Sequence, residues 1–305
     1  MNLQELNDRF RIPGVAEIIS DRGGLPAVWV EGSKASHGAS ATVYLLGAHV
    51  ASWHPRHGEG AADVLWLSGK SHWSEGKAIR GGVPICFPWF GPNKQNATLP
   101  AHGFARLRTW TLEAIATSSE GVTVTLVIKS DQATRALWPH DFLLRHHVTI
   151  GRELAMTLAL TNTGKEAFVA EEAQHTYFGV GDVRQVRVTG LADVKYIDKV
   201  DGAKEKSQEG DITVTQETDR VYLDTTGPVR VEDPVKRRRI TVKKEFSHNT
   251  VVWNPWIDKA RAMADFGDEE WPGMVCVETC NVMPGVTVKP GETHRMVTHI
   301  EVQAL

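Results

Sequence analysis

Apolar and polar residues alternate with a period near two along much of this chain. Segments 39–46 (ASATVYLL), 121–128 (GVTVTLVI), 153–160 (ELAMTLAL), 184–188 (RQVRV), 239–246 (RITVKKEF) and 293–302 (THRMVTHIEV) mix β-branched and polar residues in this way. That is the pattern of strands with one buried face. Turn-forming residues punctuate them at Gly23-Gly24, 162–164, Asp201-Gly202, 226–228, Pro284-Gly285 and Pro290-Gly291. Helices are expected only at 2–10, 131–138 and 257–264, each too short to build a layer. Many short strands between turn signals predict an all-β fold, a large antiparallel sandwich or a barrel. No low-complexity linker and no repeat interrupts the pattern, so residues 1–305 are read as one β domain with 1–13 as an N-terminal extension.

One stretch breaks the alternation. Residues 80–92 (RGGVPICFPWFGP) hold three prolines, three glycines and three aromatics. Proline fixes φ and glycine reaches conformations closed to other residues, so this is a shaped loop. Loops built that stiffly carry function more often than they merely connect.

Composition narrows the classes. A length of 305 residues admits roughly two domains at ~150 residues each, but β-sandwiches and barrels run to ~250 or more as one. Apolar content of 41% and charged content of 23% are those of a globular chain with an ample core. Lys and Arg total 34 against 37 Asp and Glu, a formal charge of −3, which excludes a globally basic nucleic-acid binder. The basic run Lys236–Lys244 (KRRRITVKK) lacks the interleaved aromatics of a nucleic-acid surface and reads as charges on an edge strand. Three cysteines, Cys86, Cys276 and Cys280, form no disulfide framework and point to a reducing compartment. The first ten residues lack the apolar centre of a signal peptide, and no apolar run reaches ~18 residues, so a cytoplasmic protein without membrane contact is expected.

Several residues can carry chemistry. A strand over Met274–Val282 places Met274, Cys276, Glu278 and Cys280 on one face. A carboxylate among such neighbours has its proton affinity raised, which suits a general base or acid; the alternative is an exposed glutamate on a wet face. Cys276 and Cys280 lack the four-ligand spacing of a structural zinc site and read as apolar fillers. His175, beside Gln174 in an apolar strand, is either a satisfied core residue or a proton donor at neutral pH. Arg80 and Arg106, near the stiff loop and His102, can grip an anion through paired N–H donors or form surface ion pairs. Trp253 and Trp256 flank an Asn-Pro pair and suit either a sugar face or a core; Asp219 can accept from hydroxyls or cap a turn.

Taken in order, six segments resemble the galactose mutarotase-like superfamily, and most of all its hexose-6-phosphate mutarotase branch. They are 80–92, 101–106 (AHGFAR), 174–182 (QHTYFGVGD), 217–222 (ETDRVY), 251–256 (VVWNPW) and 268–281 (DEEWPGMVCVETCN). The resemblance spans Val15 to Val302 and implies two large antiparallel sheets with one cleft. It implies an acid at His175, a base at Glu278, arginines at Arg80 and Arg106 holding a hexose phosphate, a hydroxyl-binding Asp219 with Asp198 as alternative, and His102, Gln174 and Trp253 as further substrate contacts. Ala101 stands where some relatives carry a polar residue. The resemblance implies no metal and no cofactor, a monomer, and a small-molecule substrate: anomer exchange needs one base at the C1 hydroxyl and one acid at the ring oxygen. Two rivals compete: a non-catalytic sugar-phosphate sensor on the same fold, and glycoside hydrolysis by Glu172 and Glu278.

Overall fold

The alternation is realised in an eight-stranded antiparallel back sheet. Its order is Arg187–Thr189, Val229–Asp233, Arg238–Glu245, Thr293–Ala304, Leu154–Asn162, Phe142–Ile150, Val122–Lys129 and Thr111–Thr117. The structure, a computed structural model, describes residues 2–55 and 63–305. Phe142–Ile150 buries every second side chain, as a sheet with one wet face requires. The expected strand at 184–188 begins only at Arg187. Asp182 accepts from the backbone and side chain of Arg184 and holds the preceding residues in a turn.

The site sheet packs against it. Its order is Lys204–Ser207, Lys195–Asp198, Thr218–Tyr222, Asn249–Asn254, Met274–Val288, Phe168–Gln174 and Ile85–Cys86, with Tyr177–Gly179 also pairing the long strand Met274–Val288. Apolar side chains of both sheets join one core, among them Leu158 and Met296 from the back sheet and Val275 and Val277 from the site sheet. Here the pattern changes: Asn249–Asn254 and the first nine residues of the long strand are buried on both faces. One face meets the back sheet, and loops cover the other.

A four-stranded sheet, Ala16–Ser20, Pro26–Val30, Ser40–Tyr44 and His49–His54, completes the fold. Val28, Val30 and Val43 enter the main core, while Ala27 and Tyr44 on the opposite face join a second cluster with Leu25, Leu46 and Ile79. The segment expected as an N-terminal extension is docked, apart from Met1, which lies outside the described residues. Its helix Leu3–Phe10 opens on an Asn2–Glu5 capping box and buries Leu6 and Phe10. Asn7 donates to the carbonyl of Ile18 and accepts from its N–H, fixing the helix to the first strand.

The basic run corrects the expectation of an edge. Arg238–Glu245 lies between two strands. Its charges are used internally: Arg238 donates to the carbonyls of Gly179 and Asp63, Arg239 pairs with Glu232, and Lys243 pairs with Glu301. Lys244 donates to Thr225, Thr250 and the Asn249 carbonyl, and burial pushes its pKa down to about 8. Among the described residues, no helix is long and apolar enough to cross a membrane.

Candidate active site

The long strand Met274–Val288 organises the site. On one side Val251 pairs with Glu278. On the other, Gln174 pairs with Thr279 and Tyr177 pairs with Cys276, leaving His175 and Thr176 between two strand segments. His175 therefore occupies a break, not a continuous strand as the pattern predicted. Its N–H donates to the Pro84 carbonyl at 3.0 Å, and the Thr176 carbonyl accepts from Val277. The His175 imidazole stacks on Tyr177 at 4.8 Å and 10°, with Trp253 standing edge-on at 6.0 Å.

This geometry brings His175 Nε2 to 3.3 Å from Glu278 Oε1. His175 is 6% exposed and Glu278 1%. Both Glu278 oxygens and His175 Nδ1 lack a hydrogen-bond partner among the described residues. Native interiors seldom leave polar atoms unpaired, and those that remain call for an explanation. Burial, reinforced by Asp219, pushes the Glu278 carboxyl well above its ordinary range. Burial and the nearby Arg106 and Arg80 push His175 well below its own. Both shifts disfavour charge on the pair, whose two groups titrate together.

The stiff loop and the segment after it supply the opposite wall. Gly103 has φ +73°, and a Cβ there would lie 1.9 Å from the Phe87 carbonyl oxygen, so no other residue fits. That close approach sets His102 at φ 65°, a strained conformation for a non-glycine residue. The Gly91 N–H lies 3.3 Å from His102 Nδ1. This assigns Nδ1 as acceptor and leaves Nε2 as the N–H donor. The ring lies 5.6 Å from that of His175. Phe90 stands edge-on to His102 at 4.8 Å, and Lys199 Nζ lies 5.1 Å from the Phe90 centroid.

Three cations act on these groups, but they differ. Arg80 is committed: Nε and Nη2 clasp Asp265, and Nη1 donates to the Tyr177 hydroxyl at 3.0 Å. Arg106 donates Nη2 to the Ala101 carbonyl and leaves Nε unpartnered. Neither Arg106 nor Lys199 has a carboxylate partner among the described residues. Both stabilise a negative charge on Glu278. Asp219 follows on the neighbouring strand; burial raises its pKa, with Lys199 opposing the rise.

The structure brings His175, Glu278, Arg80, His102, Arg106 and Asp219 within electrostatic reach of one another. Gln174 is a correction. It faces the back sheet, 0% exposed, where it accepts from Thr298 and approaches His146. The reason is parity: successive strand residues point to opposite faces, and His175 takes the cleft side. Asp198 is held by Lys206 at 2.8 Å. Trp253, 7% exposed, is a wall behind His175 and Tyr177, and Trp256 opens the helix Trp256–Ala262 while packing on Trp271. Glu172 faces the back sheet and bonds His294 and Asn281, so it shares no cleft with Glu278. This removes the carboxylate-pair reading. Lys199, Phe90, Tyr177 and Asp265 were not singled out from the sequence. Phe90 and Tyr177 stand inside quoted motifs and Lys199 follows Asp198, but nothing around Asp265 signalled its role.

The chain is similar to known proteins over most of its length. The sequence profile of the family described as aldose 1-epimerase matches residues 33–301. A protein of Escherichia coli described as "putative glucose-6-phosphate 1-epimerase" is 42% identical over 240 residues, covering 78% of this chain and 79% of its own. One from Cenchrus ciliaris with the same description is 37% identical over 290 residues, covering 92% of this chain and 85% of its own. The crystal structure of a "putative mutarotase" from Salmonella typhimurium superposes with a TM-score of 0.86 at 35% identity, covering 97% of this chain and 96% of that one.

Proposed function

Since the chain belongs to the aldose 1-epimerase family, we propose that it interconverts the α and β anomers of a hexose 6-phosphate, with glucose 6-phosphate the leading substrate. The observation that carries this reading is the buried pair of His175 and Glu278, 3.3 Å apart, whose carboxylate oxygens and Nδ1 have no hydrogen-bond partner among the described residues. The raised proton affinity of Glu278 makes it the stronger base, and the lowered affinity of His175 makes its imidazolium the stronger acid. In the reactive arrangement a proton sits on His175. Glu278 takes the C1 hydroxyl proton while His175 protonates the ring oxygen, and the ring opens to the aldehyde. Rotation about C1–C2 and reversal of both transfers give the other anomer. No cofactor is needed for these steps.

Supporting the phosphate reading are Arg106 and Lys199, which carry charge without a carboxylate partner. Arg80 is largely neutralised by Asp265, so its part is to hold the Tyr177 hydroxyl and the ring stacked on His175. The Nε2–H of His102 and the carboxylate of Asp219 face the hydroxyls. Binding energy from the phosphate fixes the ring over the pair.

The test is exchange NMR of glucose 6-phosphate at anomeric equilibrium, with and without the protein. Faster α–β exchange is expected, and faster for the phosphorylated sugar than for glucose. An exchange rate equal to that of the buffer alone would remove the proposal and leave the non-catalytic binding reading.

A further inference from the structure

The same strand face carries a third donor that the proposed proton transfers do not use. Cys276, two residues before Glu278, is fully buried, and its sulfur makes no hydrogen bond among the described residues. One ligand atom each from His175, Cys276 and Glu278 lie within 4.8 Å of one another. We propose that these three side chains form a binding site for a thiophilic divalent cation of the zinc class, and that the cation blocks the cleft by occupying the acid–base pair.

The donor set fits that ion. Zinc takes nitrogen, sulfur and carboxylate oxygen at ~2.0–2.3 Å in a tetrahedron, which places neighbouring donors roughly 3.4–3.6 Å apart. His175 Nε2 and Glu278 Oε1, at 3.3 Å, already stand at that spacing. The Cys276 sulfur, within 4.8 Å of the other two donors, has to close by roughly 1.2–1.4 Å at most, a movement a χ1 adjustment supplies. Three protein ligands with a fourth position open toward the cleft is the arrangement of an exchangeable zinc site, in contrast to a closed structural one. A thiolate selects zinc, cadmium or cobalt over magnesium and calcium, which prefer all-oxygen sets. The free oxygens of Glu278 and the free Nδ1 of His175 form a second, independent mark: polar atoms over nine-tenths buried and without partners. Both neighbouring cations, Arg106 and Lys199, oppose the ion's charge and limit the affinity. The site therefore binds as an inhibitor and does not serve as a resident cofactor.

Metal-stripped full-length protein titrated with Zn²⁺ by calorimetry should bind one ion per chain. Titration with Co²⁺ should give a thiolate-to-metal charge-transfer band in the near ultraviolet. Cys276→Ser should abolish the band and weaken zinc at least ~10-fold, while Cys86→Ser and Cys280→Ser keep both. X-ray absorption of the wild-type zinc complex, which needs no variant to fold, should show one sulfur at ~2.3 Å with nitrogen and oxygen neighbours. No binding, a zinc shell without sulfur, or a band retained in Cys276→Ser would overturn the proposal. Loss of anomer exchange on adding one equivalent of zinc, restored by a chelator, is expected too. That arm alone rests on the proposed activity, so the failure of either reading is recognisable separately.

Discussion

The site sheet carries a buried glutamate–histidine pair on each of its two faces. Between the sheets, Glu172 Oε1 lies 2.7 Å from His294 Nε2 and accepts from Asn281 at 3.0 Å. On the opposite face, Glu278 and His175 approach to 3.3 Å and the Glu278 carboxylate has no hydrogen bond among the described residues. Both glutamates are nearly inaccessible, so burial does not distinguish them. Satisfaction does. A carboxylate with donors is cross-linking material, and its removal leaves the donors unpaired. A carboxylate without donors contributes nothing to the resting fold and waits for a ligand to supply them.

The largest test of that contrast is a pair of variants. Glu278→Gln should slow anomer exchange by ~10²–10⁴-fold, the range of a lost general base. Its melting temperature should hold or rise. Burial has raised the folded pKa of Glu278, so the folded chain keeps a proton that the unfolded chain releases above pH ~4.5, and stability drains as pH rises through that window. The amide has no such penalty. Glu172→Gln should do the reverse, with a lower melting temperature and exchange within a few-fold of wild type. If Glu172→Gln is the inactive variant, the comparison is wrong.

Next in size is the cation pair. Arg106→Ala and Lys199→Ala should each raise KM for glucose 6-phosphate by ~10–100-fold, the worth of a charge-assisted hydrogen bond, with a far smaller change for glucose. Arg80→Ala should impair both sugars alike, mainly in kcat, because its guanidinium is occupied by Asp265 and Tyr177. A loss confined to the phosphorylated sugar would return Arg80 to the phosphate.

Smaller effects probe the inter-sheet face alone. His294→Ala should cost about 1–3 kcal/mol in chemical denaturation by depriving the buried Glu172 carboxylate of its closest donor, with no change in kcat. His146, held by the Ala48 carbonyl, has its pKa pushed down to about 4 by burial. The unfolded chain takes up that proton below pH ~6.5 while the folded chain does so only near 4. Stability should therefore fall between these values by up to about 1.4 kcal/mol per pH unit. His146→Gln should flatten that part of the profile in thermal melts.

The legibility of these features in the sequence follows the same division. Where one sheet face meets water, as in Phe142–Ile150, alternation marks the strand almost to the residue. Where both faces are buried, as in 274–282, alternation vanishes, but a charged residue inside an apolar run stands out, and so Glu278 was found. Gln174 was assigned to the substrate by resemblance alone; strand parity turns it to the face opposite His175, and the break at His175 and Thr176 is made by long-range pairing with the strand Met274–Val288 that nothing in 174–182 encodes. Asp265 escaped for a related reason. Its partner Arg80 lies far away in the chain, and an aspartate in a loop has no distinguishing pattern of its own.

The two-residue break that holds His175 has a bearing on how the chain reaches its native state. Phe168–Gln174 and Tyr177–Gly179 both zip onto a strand about a hundred residues later. Closing so long a loop is entropically slow and is rewarded only when the pairing is complete. His175 and Glu278 therefore come together only once this long-range pairing has formed. Partly folded chains with only their local hairpins in place lack the pair altogether.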